Sequence, residues 1–261
     1  MSAQEPANII RDRLDELILA ATLLTRIPMP PARSGDSAAL GRAVWAYPII
    51  GALVGAIGAL AFFFARTVGL PAAPATWVAM AAMVLVTGCF HEDGLADFWD
   101  GIGGGRTIER KLEIMRDSRI GSYGAAALIL SFGLRSTAII ALADVGLAEV
   151  GLIASGLLGR SAIAGVLLAL GPARADGLAA TAADPPVRRA LIAIAFGVAV
   201  FGLLPAGSAL GAIGATLAAT VIFIVLMRRQ IEGYTGDGLG ATEQTVETAA
   251  LLAMLAAVGQ G

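Results

Sequence analysis

Apolar runs long enough to cross a bilayer alternate with short polar stretches along most of the chain. A helical span needs about 20 mostly apolar residues. Seven segments come near that: about 47–66, 72–90, 123–143, 146–170, 189–206, 208–227 and 245–259, of which the last is short and carries Glu247. Pro71, Pro74, Pro172, Pro185, Pro186 and Pro205 fall at or near the proposed ends, where proline costs a helix least. Ahead of the first span, Ile10, Leu14, Leu17 and Ile18 recur at helical spacing. That amphipathic segment is expected to lie on the membrane surface, to pack on the bundle, or to face solvent as an ordinary helix. The pattern predicts an all-α protein. It is a polytopic integral membrane helical bundle of about seven transmembrane helices, with one domain over 1–261 and an N-terminal segment over 1–46.

Composition agrees. Hydrophobic residues make up 57% of the 261 positions, and the mean hydropathy is +0.79. Charged residues are 15%, well below the roughly 25% of a soluble domain. The 33 glycines would weaken soluble helices but let membrane helices approach closely. A single cysteine, Cys89, excludes an intramolecular disulfide and a cysteine-built zinc cage. A net charge of −2 gives no footing for nucleic-acid binding. No secretory signal is expected, because the longest apolar run before the first span is Leu17 to Leu24.

Lys and Arg orient the chain. Arg11, Arg13, Arg26, Arg33 and Arg42 precede the first span, and Arg106, Arg110, Lys111, Arg116 and Arg119 sit between spans two and three. Arg174, Arg188, Arg189, Arg228 and Arg229 fall in later loops of the same parity, whereas the opposite face has only Arg66. By the positive-inside rule the basic face, the N-terminus and the charged loop 91–122 are cytoplasmic, which in a bacterium means the inner membrane.

That loop concentrates candidate chemistry. Asp93, Asp97 and Asp100 are spaced i, i+4, i+7, so a helix continuing past Phe90 would set three carboxylates on one stripe. Like charges so placed repel unless they surround a cation. Oxygen-only donors favour Mg²⁺ or Mn²⁺ over zinc, and Mg²⁺ suggests phosphates; the plain alternative is helix caps and solvated surface. Gly101, Gly103, Gly104 and Gly105 either bring backbone N–H groups to an anion or simply end a helix. Residues 107–121 read as a short amphipathic helix with Ile108, Leu112 and Met115 on one face. Asp117 falls near its C-terminal end, where the dipole disfavours an anion, so it needs a partner such as Arg116 or Arg119, or a metal. Arg106, Lys111, Arg116 and Arg119 suit phosphate binding, although topology alone explains some of them. His91, the only histidine, is placed for a general base or a substrate hydrogen bond, or for capping. Arg160 and Arg135 lie within spans, where a charge calls for a partner or a phosphate. Asp237, among glycines in 233–243, is either a turn residue or a further ligand for a metal or hydroxyl.

The words "TRIPMP" at 25–30, "RAVWAYPIIG" at 42–51, "HEDGLADFWDG" at 91–101, "ERKLEIMRDSRIGSYGA" at 109–125, "GR" at 159–160 and "TGDGLGA" at 235–241 occur in the order and spacing of one known family. Over nearly its whole length the chain resembles the cobalamin synthases, the adenosylcobinamide-GDP ribazoletransferases. Glu92 stands where many members have Leu, and Cys89 where Gly is frequent. The resemblance implies a membrane-bound, Mg²⁺-dependent transferase of the last steps of cobamide synthesis. It would join adenosylcobinamide-GDP to α-ribazole or α-ribazole 5′-phosphate and release GMP. It also implies roles for the residues above. Asp93, Asp97 and Asp100 would hold Mg²⁺, with Asp117 or Asp237 completing the site. Arg106, Lys111, Arg116, Arg119 and Arg160 would bind phosphates, and His91 or an aspartate would take the hydroxyl proton. Besides the lipid bilayer and these substrates, other enzymes of the pathway and a second copy of the chain are candidate partners.

Rival readings share some of these features. Asp97-x-x-Asp100-Gly101 opens the motif of the CDP-alcohol phosphotransferases, but the rest of that motif is not matched in register. A divalent-cation transporter would explain acids beside spans but should place its site near the midplane between repeats, and no repeat is visible. A structural subunit that anchors other enzymes would leave the acidic stripe without a purpose.

Overall fold

The computed structural model describes residues 6–33, 38–177, 180, 185–200 and 206–258. The described elements are helices α1 (Pro6–Leu24) and α2 (Ala39–Ala43), a 3₁₀ turn (Val44–Ala46), and helices α3 (Tyr47–Thr67), α4 (Ala72–Thr87), α5 (Phe90–Gly104), α6 (Ile108–Ile114), α7 (Ser122–Asp144), α8 (Ala148–Ala169), α9 (Val187–Val200), α10 (Ala206–Ile231) and α11 (Gly236–Val258). Each predicted span coincides with a helix over its described residues; 201–205 of the fifth and 259 of the last lie outside them.

Not every predicted span is, among the described residues, by itself a helix long and apolar enough to cross. Among the described residues, four stretches are long and apolar enough to cross a membrane: Ala39–Thr67, Ser122–Asp144, Ala148–Ala169 and Ala209–Ile231. Helices α4 and α5 form a fifth only if taken together across an 87° bend. Helix α4 alone has 16 residues, about 24 Å at 1.5 Å per residue, short of a hydrocarbon core of about 30 Å. Helix α11 is long enough, but Asp237, Glu243 and Glu247 interrupt its apolar character. Lipid-facing positions carry large apolar side chains that stay exposed, among them Leu60, Phe64, Leu85, Ile129, Leu210 and Ile222, as expected of helices solvated by hydrocarbon.

Small residues set the closest approach. At the α3–α8 contact, a Cβ on Gly55 would sit 2.7 Å from the Ile153 Cα, and one on Gly51 would meet the carbonyl of Gly156. Neither distance leaves room for a side chain, so the two backbones touch there.

The second predicted span does not run on past Phe90. Gly88 (φ 67°) and Cys89 (φ 61°) both adopt the left-handed conformation, easy for glycine and uncommon for cysteine. The chain turns by 87°, and α5 packs against α11 and α7. The loop after α1 closes this corner, with the Arg26 N–H donating to the Val86 carbonyl at 2.7 Å. Helix α1 packs on the bundle through Ala20, Ala21 and Leu24, leaving Ile9, Ile10 and Leu14 outward. Glu16 fixes it there by accepting from Trp45 Nε1 at 2.6 Å and facing Arg189 at 3.4 Å.

Replacing Gly55 by Leu is expected to disrupt the α3–α8 contact, an overpacking cost of about 1–3 kcal/mol or more, and to lower the thermal midpoint of detergent-solubilised protein. The same change at Gly133, where an added Cβ meets nothing within 4 Å, should leave the midpoint nearly unchanged.

Candidate functional site

Two glycines bring the acids together. Helix α5 crosses the start of α11 where Gly94 faces Asp237 and Gly240. A Cβ on Gly94 would lie 3.2 Å from the Asp237 Cα, and one on Gly240 would lie 3.2 Å from the His91 carbonyl oxygen. Thr235 starts α11 by accepting from the Gly238 N–H at 3.0 Å, an N-cap that leaves Asp237 in the first turn, where the helix dipole favours a carboxylate. The "TGDG" turn is thus both a cap and a means of presenting an acid. Opposite it, the segment after α8 is tied to Tyr234 by a short parallel bridge: Ala173 N–H donates to Tyr234 O at 2.8 Å and Tyr234 N–H to Gly171 O at 2.9 Å. This sets Arg174 against Asp237 at 3.1 Å.

These elements enclose a cavity of about 230 Å³. Its apolar wall includes Leu24, Tyr47, Ile163 and Leu167, and its polar side is His91, Asp93, Arg174 and Asp237. Asp93 is exposed and Asp97, one turn on, half-buried. Burial raises Asp97 to about 7, and the charges of Asp93, Asp237, Asp100 and Asp117 push in the same direction. Burial likewise raises Asp237 to about 6, against the opposing pull of Arg174. Mutual repulsion of this kind is what a hard divalent cation relieves, so the donor set fits Mg²⁺. Among the described residues no three His, Cys, Asp or Glu side chains are already gathered tightly enough to cage a metal. An ion here would therefore take water or substrate oxygens to fill its shell, as Mg²⁺ commonly does.

Asp100 is placed differently from its two neighbours on the stripe. It is buried, and its two oxygens accept from Gly121 N–H at 2.6 Å and Gly124 N–H at 2.8 Å. It holds the first turn of α7, satisfying amides that have no partner within that helix. Asp117 finds the partner its position demanded: Arg119 donates to it from Nε and Nη2, at 3.0 and 2.6 Å, and these bonds lower it to about 2. Arg116 pairs with exposed Asp176 at 2.6 Å, Lys111 donates to Gln230 Oε1 at 2.6 Å, and Arg106 is exposed. Helix α6 carries the cap its sequence implies, with Thr107 accepting from the Arg110 N–H at 3.3 Å.

Arg160 is buried and bonded to carboxylates, not open to solvent. Its Nη1 pairs with Glu243 and Glu247, and its Nη2 lies 3.2 Å from His91 Nδ1. Arg135 pairs with Glu247 at 3.0 Å, faces Glu92 at 3.7 Å and lies over the Phe132 ring at 5.1 Å. Gln244 donates to Glu92 at 3.2 Å and Glu243 at 3.1 Å. Arg174, Glu243 and Gln244 were not singled out in the sequence. Glu243 and Glu247, at i, i+4 in "TEQTVET" (242–248), were the available signal: acids in an apolar helix of a chain with two arginines inside other spans.

A helical membrane protein whose cavity carries His91, Asp93 and Asp237 with Arg174 beside them has the charges that suit a phosphorylated substrate. Comparison with known proteins identifies the family. Residues 16–255 match the cobalamin-5-phosphate synthase family, to which the chain belongs. An adenosylcobinamide-GDP ribazoletransferase of Bradyrhizobium diazoefficiens is 46% identical, covering 93% of this chain and 94% of the relative. Proteins of the same description from Mesorhizobium japonicum (41% identical, 93% of each chain) and Rhizobium etli (43%, 95% of this chain and 99% of the relative) are also similar. No solved structure matches.

Asp100→Ala should lower the thermal midpoint in metal-free, EDTA-containing buffer by the loss of a capping acceptor, about 0.5–2 kcal/mol. Asp100→Asn, which keeps one accepting oxygen, should lose less. An unchanged midpoint for the alanine variant would return Asp100 to the metal-binding stripe.

Proposed function

We propose that this chain transfers the cobinamide phosphoryl group of adenosylcobinamide-GDP to the ribose hydroxyl of α-ribazole or its 5′-phosphate, releasing GMP. The observation that carries this reading is the crowding of Asp97 with Asp93 and Asp237, the last two lining one cavity with Arg174, in a chain of this family. Asp93 and Asp97 would hold Mg²⁺, which when bound neutralises the diphosphate. The ribose oxygen bonds to the phosphorus attached to cobinamide, and the bond from that phosphorus to the bridging oxygen breaks, so that GMP leaves with the bridging oxygen. Phosphoryl transfer of this kind is mostly positioning and charge stabilisation. Arg174 stands beside the acids to hold a phosphate, with Arg106, Lys111, Arg116 and Arg119 drawing the dianionic part of the substrate toward the face. Asp237, which lines the cavity, is the carboxylate we assign to the hydroxyl proton.

We place the site on the cytoplasmic face of the bacterial inner membrane. The basic segments that the positive-inside rule assigns to one side support this, since they meet in space through Lys111–Gln230, Arg116–Asp176 and Arg189–Glu16.

Purified protein in detergent, given adenosylcobinamide-GDP and α-ribazole, is expected to release GMP and form the corrinoid product with Mg²⁺ and to stop with EDTA. Asp97→Asn should lower turnover at least about 100-fold, the scale of a lost charge-stabilising contact, without shifting the thermal midpoint. Near-wild-type turnover in that variant would remove Asp97 from the site.

A further inference from the structure

His91 has two ring nitrogens with opposite surroundings. Nδ1 faces the buried charges: Arg160 Nη2 is 3.2 Å away and Glu243 Oε2 is 3.6 Å away. A guanidinium has five N–H donors and no acceptor. At 3.2 Å the arginine is within hydrogen-bond range, and at 3.6 Å the carboxylate is outside it. Glu243 is in any case engaged by Arg160 and Gln244. Nδ1 must therefore offer a lone pair to Arg160, and in a neutral imidazole the proton then resides on Nε2. A doubly protonated ring would turn an N–H against the guanidinium. Nε2 is buried and has no hydrogen-bond partner among the described residues, and His91 is one of the residues lining the cavity with Asp93.

We infer that Arg160 fixes His91 as the neutral Nε2–H tautomer, so that His91 serves the cavity as a hydrogen-bond donor to a ligand oxygen and not as the base that accepts the hydroxyl proton. Arg160 is then a positioning residue that acts through the histidine, in place of the direct phosphate contact its sequence position suggested. Nε2 is the one polar atom His91 has left to offer a ligand, and an N–H can meet only an acceptor. Phosphoryl and ribosyl oxygens are acceptors of this kind; that identity rests on the transferase reading above, whereas the tautomer does not. The carboxylates of Glu243 and Glu247 both pair with Arg160 Nη1, which holds the guanidinium beside the histidine.

His91 is the only histidine in the chain, so a protein labelled with ¹⁵N-histidine and purified by a tag without histidine gives one imidazole signal pair. Solid-state or long-range ¹H–¹⁵N NMR in lipid should show Nδ1 as the unprotonated, pyridine-type nitrogen and Nε2 as the N–H at neutral pH. The reverse pattern, or two protonated nitrogens, overturns the inference whether or not the protein is active on the proposed substrates. In the transferase assay, His91→Gln keeps a donor and lacks the imidazole lone pair. Its turnover should fall only about tenfold, the scale of one imperfect hydrogen bond. A loss of 10²–10⁴-fold from folded protein is the signature of a missing general base and would equally overturn it.

Discussion

Three acids and two arginines buried between helices decide how this bundle is assembled. Arg160 on α8 and Arg135 on α7 both reach Glu247 on α11, Arg160 also reaches Glu243, and Arg135 faces Glu92 on α5. In a bundle whose outer surface is hydrocarbon, apolar contact does little to choose one helix arrangement over another, because lipid tails are as apolar as leucine. Paired charges do choose. Removing one member leaves its partner buried and uncompensated, which costs about 3–5 kcal/mol. Four helices are tied by this single cluster, and two of them, α5 and α11, carry the acids of the site. Glu92 is part of that tie: it accepts from Gln244 at 3.2 Å.

The break at Gly88 and Cys89 depends on the same tie. A helix running straight on from α4 would carry Asp93 and Asp97 away from the bundle end. The two left-handed residues turn the chain by 87°, and the Gly94–Gly240 crossing then sets α5 on the start of α11. The bend supplies direction and the glycines supply proximity. The buried ion pairs hold the result. Burial of the acids follows, and with it the raised proton affinity of Asp97 and Asp237.

Much of this was legible in the sequence, for definite reasons. Periodic apolar runs marked the positions of the long helices because hydrocarbon demands them, and the i, i+4 spacing of Asp93 and Asp97 survives on α5 because a bend before a helix does not change its internal geometry. What the pattern could not carry was direction and pairing. Gly88 looks like any glycine, and a cysteine in the left-handed region has no sequence mark. The stripe at 93, 97 and 100 treats three aspartates alike, yet Asp100 faces the α7 amides because the 105–121 segment folds back on it. Arg160 read as a ligand contact because its counter-charges are more than eighty residues away, in a segment where Glu247 looked like a flaw in a span. Helices α4 and α11 lie where apolar runs were seen, but a bend shortens one and the paired acids interrupt the other.

Two kinds of charge therefore coexist within a short distance, and their contrast gives the site its chemical character. Arg160 and Arg135 face carboxylates, so their charge is matched before any substrate arrives. The rim is different: among the described residues, Asp93 and Asp97 have no such cation bonded to them, and only Asp237 has Arg174. A charge matched in the core adds rigidity and little reactivity. One left unmatched at the edge of a low-dielectric wall keeps most of its attraction for an incoming ion, because the wall neither screens it nor rearranges around it. The apolar side of the cavity, Leu24, Ile163 and Leu167 among it, is thus more than a place for an apolar part of a ligand. It makes the few unmatched oxygens at the rim count for more than they would in water, which is a physical reason for building a site for soluble, highly charged substrates on the end of a membrane bundle.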